Sequence, residues 1–122
     1  MLPEVKLVAV LDPSVLGGRD PVAAAVAAEA GGATAIQLRM KNAPAADLFR
    51  TARALLAKLS VPLYVNDRAD VAWAAGAQGV HLGQDDVPAD PLRALLPRSV
   101  RIGMSVGTPG EARVAEIGRA HV

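Results

Sequence analysis

The sequence predicts an α/β fold in which successive βα units feed one parallel sheet, and three observations lead to it. Short apolar runs alternate with helix-patterned segments along the whole chain. The runs are close to continuously apolar, as strands covered on both faces are. The repeat is roughly 25 residues, the spacing of units in a (β/α)8 barrel.

Each element has a local cause. The first strand is "VKLVAVL", residues 5 to 11, expected to be buried on both faces. Asp20 followed by Pro21 is an N-cap with proline at the first helical position, opening an Ala-rich helix that stops at Gly31 and Gly32. "AIQLR", 35 to 39, is the second strand. The next helix, about 45 to 59, sets Leu48, Ala52, Leu55, Leu56 and Leu59 on one stripe, with Arg50, Arg53 and Lys58 opposite. "PLYV" is the third strand and leads into a short helix from Ala69 to about Gly76, whose Trp73 is expected to pack on the sheet. "GVHL" is the fourth strand. Asp90 and Pro91 repeat the cap-plus-proline signal before "LRALL", and "RIGMSV" is the fifth strand. Thr108 with Glu111 three residues on is a capping box for a fifth helix.

The chain has 122 residues, enough for one domain but about half the units of a complete barrel, which takes at least about 200 residues. A small doubly wound sheet of five parallel strands is the rival architecture. Its Gly-rich phosphate turn is weak here, since Gly17 and Gly18 do not make a GxGxxG. Hydrophobic residues reach 52% with only 2% aromatic, so the core must be built from Ala, Val and Leu.

Composition also narrows the function. A net charge of +1, without a basic run or interleaved aromatics, argues against nucleic acid as a partner. The absence of cysteine removes thiolate chemistry, disulfides and Cys-based zinc. No apolar run approaches a membrane span and no signal peptide opens the chain, so no membrane partner and a cytoplasmic location are expected. An oligomer is compatible with the sequence.

In parallel α/β folds the site lies where the strands end. The residues there are Gln37, Arg39 and Lys41, then Asn66 and Asp67, then Gln84, Asp85 and Asp86, and Ser105. Two carboxylates are hard oxygen ligands of the kind Mg2+ takes together with substrate phosphates. Arg39 and Lys41 add positive charge for the same phosphates, and Asn66 and Gln37 can hydrogen-bond a heteroaromatic group. Each residue alone has a plainer reading: Asp67 as a helix cap, Asp86 as a solvated loop acid, Arg39 and Lys41 as rim charges, His81 as a hydrogen-bonded core histidine. Together they describe a phosphate ester held with a metal, and residue chemistry stops there.

Three blocks go further. "QLRMK", "NDRADVAWAAGAQGVHLGQDDVP" and "IGMS", in this order and spacing, resemble the N-terminal half of the thiamine phosphate synthase family, over residues 6 to 116. The resemblance implies a (β/α)8 barrel, here truncated to a half barrel of about five βα units. It also implies the coupling of hydroxymethylpyrimidine diphosphate to a thiazole phosphate with release of pyrophosphate. Carried over by position, Gln37, Leu38, Arg39, Met40, Lys41, Asn66 and Ser105 contact the pyrimidine diphosphate, with Arg39 and Lys41 as the catalytic cations. Asp67 and Asp86, 86 − 67 = 19 residues apart, hold Mg2+. Met40 stands where the family often has an acid. A related barrel, the thiazole tautomerase, has a histidine where this chain has Gly107 and lacks the "ND" and "GQDD" pattern.

The last six residues, "IGRAHV", are expected to be foreign to the domain, which is then 1 to 116. They read as a translated sequencing adapter, ATC GGA AGA GCA CAC GTC, whose next codon, TGA, is a stop. Arg119 and His121 therefore carry no functional weight. As a half barrel with unpaired first and fifth strands, the isolated chain is expected to be marginal and prone to aggregate or, at most, a weak binder of diphosphate and Mg2+.

Overall fold

The computed structural model describes residues 4–117 and residue 120. Five parallel strands, β1 (Val8–Leu11), β2 (Ala35–Leu38), β3 (Leu63–Asn66), β4 (Gly79–Leu82) and β5 (Arg101–Met104), form one sheet in the order β1-β2-β3-β4-β5. Five helices follow them in turn: α1 (Pro21–Ala30), α2 (Ala45–Leu56), α3 (Ala69–Ala75), α4 (Ala89–Leu95) and α5 (Pro109–Ile117). A doubly wound sheet reverses its strand order at a switch point, and this one never does. Because parallel crossovers are right-handed, strands laid down strictly in sequence put every helix on the same face. The molecule is an open half barrel of five βα units.

The register shows what each face holds. Leu11, Leu38, Val65, Val80 and Ile102 are successive partners across all five strands and are buried against the helices. Residues one step away point to the other face, because side chains alternate along a strand. There Val10, Gln37, Tyr64, Gly79 and Arg101 form one row, and Asn66, His81 and Gly103 the next. No described helix covers this second face. The expectation that the first strand is buried on both sides is therefore corrected: β1 is an outer strand, and Val10 remains 58% exposed. Its apolar sequence suits a face that only a closed barrel would cover.

Most helix signals act as read. Both Asp20 carboxylate oxygens accept from the first turn of α1, from the Val22 and Ala23 N–H groups. The α2 stripe of Leu48, Ala52 and Leu55 is buried, and Arg53 on the far side donates to the Ala75 carbonyl at the end of α3. Gly76 ends α3 in the left-handed conformation, φ 84°, which closes the turn without a Cβ clash. Thr108 Oγ1 accepts from Glu111 N–H, and the Glu111 carboxylate reaches back to Gly107 N–H. The capping box thus closes one residue earlier than its standard form.

Two details differ. Helix α4 starts at Ala89, with Pro88 at the cap and no side-chain cap bond, so Asp90 and Pro91 sit inside the first turn. Proline fits there because first-turn N–H groups have no helical partner. Trp73 does not pack on the sheet; it is 56% exposed, while Val71, Ala72 and Ala75 make the contact. Of the proposed foreign tail, Gly118, Arg119, His121 and Val122 lie outside the described residues, Ile117 closes α5, and the buried Ala120 donates to Ala115 O.

Candidate active site

The carboxyl edge of the sheet opens into a cavity of about 340 Å³ lined by Gln37, Arg39, Lys41, Asn66, Asp67, His81, Gly83, Gln84, Asp85, Asp86 and Ser105. Alternation explains much of the set. Gln37, Arg39 and Lys41 are two residues apart, so all three leave β2 and its extension on the uncovered face. Asn66, His81 and Ser105 do the same from β3, β4 and the end of β5. Leu38, one residue out of phase, is fully buried against the helices and does not line this cavity. Met40 packs against the core and borders an adjoining cavity of about 200 Å³, beside Lys41, Asn42, Asn66, Asp67 and Arg68. All nine strand-end residues read from the sequence, and seven of the nine carried over from the family resemblance, thus meet in one place.

Asp67 does not cap α3. The N-cap position belongs to Arg68, which makes no side-chain cap bond. Asp67 sits instead in the left-handed region, φ 68°, a conformation that costs a non-glycine residue energy and clusters at functional sites. Its N–H continues the ladder to the His81 carbonyl at 2.8 Å, which fixes the turn. Lys41 Nζ lies 3.7 Å from its Oδ2. Burial raises the Asp67 carboxyl above the usual range, and so do hydrogen bonding and like charge from Asp86; Lys41 and Arg39 oppose them. Asp86 is held by its own loop, accepting from Gly83 N–H at 2.6 Å.

Mg2+ fits this donor set. Asp86 comes close enough to disfavour ionisation of Asp67, and a divalent cation between the two carboxylates would offset that negative charge. Among the described residues no cluster of three or more His, Cys, Asp or Glu gathers. Two acids with substrate phosphates and water are the sparse set Mg2+ uses.

The remaining polar contacts organise the other strands. His81 Nε2 is 2.7 Å from Ser105 Oγ, and Gln84 Nε2 donates to the Ser105 carbonyl at 2.7 Å. Burial lowers the His81 pKa, with Asp86 opposing, so the imidazole is neutral at pH 7. Its ring lies over Gly103, where a Cβ would come within 2.8 Å of Nδ1. Tyr64 lies over Gly79 in the same way, where a Cβ would meet its ring at 2.5 Å. His81 is therefore hydrogen-bonded, as expected, but it borders the cavity rather than the core.

The sequence reading passes over Asp12 here and assigns His81 to the core. Asp12, immediately after β1, pairs with Arg39 at 2.8 Å, and its signal was the same as that of Asp67: an acid directly after an apolar strand. His81 was visible as the one polar residue of "GVHL", but the Gly103 that makes room for its ring lies on the neighbouring strand.

A sequence model of the thiamine monophosphate synthase family matches residues 7–121. The thiamine-phosphate synthase of Anaeromyxobacter dehalogenans is 50% identical over 103 residues, which cover 83% of this chain and 46% of that protein. That of Albidiferax ferrireducens is 47% identical over 120 residues, 95% of this chain and 55% of its own. Among solved structures, a thiamine phosphate pyrophosphorylase from Pyrococcus furiosus superposes with a TM-score of 0.81 at 35% identity, covering 93% of this chain and 56% of that one. The chain spans about half the length of these relatives.

Proposed function

This chain belongs to the thiamine monophosphate synthase family, and from that premise we propose that it carries the pyrimidine diphosphate and metal end of a thiamine phosphate synthase site. The reaction joins hydroxymethylpyrimidine diphosphate to hydroxyethylthiazole phosphate, a transferase step of thiamine biosynthesis in the cytoplasm. The observation that carries the reading is the shared cavity, in which two cations, two adjacent carboxylates and the amides of Gln37 and Asn66 converge.

In the proposed chemistry, the bond between the pyrimidine methylene and the diphosphate oxygen breaks and pyrophosphate keeps the electron pair. The methylene cation is stabilised by the ring amino group. The thiazole nitrogen then supplies the pair for the new C–N bond. Arg39 and Lys41 stabilise the charge gathering on the leaving group, which is where preorganised electrostatics acts most strongly. Gln37 and Asn66 orient the pyrimidine, and Ser105 donates to the diphosphate. Bound at Asp67 and Asp86, Mg2+ would supply Lewis acidity toward that leaving group. No protein nucleophile is required. At Gly107 this chain lacks the histidine of the tautomerase, which favours the synthase reading.

The test is calorimetric titration of the 122-residue chain with hydroxymethylpyrimidine diphosphate, with and without Mg2+. Mg2+-dependent binding that inorganic pyrophosphate displaces is expected, without turnover to thiamine phosphate when thiazole phosphate is added. Binding indifferent to Mg2+, or none, refutes the site. Turnover by this chain alone refutes the assignment of only one end of the reaction to it.

A further inference from the structure

We propose that Asp12 is the positioning residue for Arg39, the group that sets the direction from which the guanidinium meets a diphosphate. The inference rests on the diphosphate reading of the cavity. Continuing the β1–β2 register past Leu11 and Leu38 puts Asp12 beside Arg39 on the uncovered face. The carboxylate is held from the other side as well. Its Oδ1 accepts from the Ser14 hydroxyl at 2.6 Å and the Ser14 N–H at 3.0 Å, while Oδ2 accepts from Arg39 Nη1 at 2.8 Å. The first turn after β1, over Pro13–Val15, is thus built around this acid. Only 16% of the Asp12 side chain is exposed, against 41% for Arg39.

The division of labour follows from the donors. A guanidinium has five N–H groups in a rigid fork, so holding one nitrogen on a carboxylate that is itself hydrogen-bonded restricts where the rest can point. Arg39 lines the cavity and Asp12 does not. Lys41 has no comparable anchor: its partner Asp67 is 3.7 Å away and is one of the two candidate metal ligands. Of the two cations, then, Arg39 is held in place before any anion arrives and Lys41 is a flexible point charge. An anchor of this kind has an opposing effect, because the Asp12 charge also weakens the attraction of Arg39 for phosphate. Positioning predicts that the loss of orientation outweighs the loss of that opposing charge.

The experiment uses the 122-residue chain and inorganic pyrophosphate with Mg2+ as probe. D12A, D12N, R39A and the D12A/R39A double variant are compared by calorimetry, and Arg39 side-chain order by 15N relaxation at its Nε–H. Positioning predicts that D12A weakens pyrophosphate about tenfold in the wild-type background and less than about twofold beside R39A. D12N, which keeps an acceptor oxygen, should restore most of the affinity, and D12A alone should mobilise the Arg39 Nε–H. Equal losses from D12A with and without R39, a gain in affinity in D12A, or an unchanged Arg39 order parameter would each overturn it. Failure of the wild-type chain to bind pyrophosphate refutes the diphosphate reading instead. In that case the relaxation data alone decide whether Asp12 anchors Arg39.

Discussion

Gly103→Ala is the most direct test of how the cavity floor is packed. A Cβ at this position would stand 2.8 Å from His81 Nδ1. Ordinary contact between such atoms is about 3.5 Å, so the ring must withdraw by about 0.7 Å. A withdrawal of that size takes the 2.7 Å bond between His81 Nε2 and Ser105 Oγ past the useful limit of about 3.2 Å. The lost hydrogen bond is partly solvated and contributes about 0.5 kcal/mol, and overpacking beside a strand adds about 1–3 kcal/mol. The expected destabilisation is therefore about 1.5–3.5 kcal/mol, read by urea unfolding followed by circular dichroism. His81→Ala removes the obstructing ring, so in that background the same glycine substitution should cost less than about 0.5 kcal/mol. An equal loss in both backgrounds would refute the packing explanation and place the cost in the strand backbone.

Other consequences are open to measurement. Because burial holds the His81 pKa below its ordinary 6.5, the unfolded chain takes up this proton first, and stability should fall as pH drops from about 7 toward the folded value; His81→Gln should flatten that limb of the urea profile. Asp67 has the opposite sign. Its raised pKa means that the folded chain takes up the proton first, so its protonation adds stability as pH falls from the raised value to the ordinary carboxylate value, an increment that Asp86→Asn should shrink. The same Asp86→Asn change should reduce Mg2+-dependent pyrophosphate affinity at least about tenfold at neutral pH, measured by calorimetry. Lys41→Ala should weaken pyrophosphate by about five- to thirtyfold yet change unfolding stability by less than about 0.5 kcal/mol, since the exposed pair with Asp67 is worth little by itself.

Some of the site could be read before any fold was known because strand ends are legible. The acids after "LYVN" and in the loop after "GVHL", and the cations at alternate positions after "AIQL", are polar groups at defined phases of short apolar runs. Other features were hidden for physical reasons. Leu38 and Met40 travel with Arg39 and Lys41 in one contiguous block, and only the pleat separates the side chains that face the cavity from those that do not. Asp12 follows its strand as plainly as Asp67 does, but its significance needs the neighbouring strand that brings Arg39 to 2.8 Å. Trp73 lies on a helix of seven residues, too short for periodicity to reveal which side faces the sheet.

By itself, the sequence determined the order and type of the elements and the polar character of one sheet edge. Those properties depend on local patterning, caps and alternation, which operate within a few residues. Only the tertiary structure decided that the strands lie in strict sequential order, which excludes the doubly wound alternative and leaves one face uncovered. It also decided that Asp86, 19 residues from Asp67 in sequence, comes close enough to raise the Asp67 pKa, and that neither acid is spent on a helix cap. The reason is that adjacency between strands is a property of pairing and crossover hand, and both are settled by burying the helix-facing row of Leu38, Val65, Val80 and Ile102 rather than by any residue of the site.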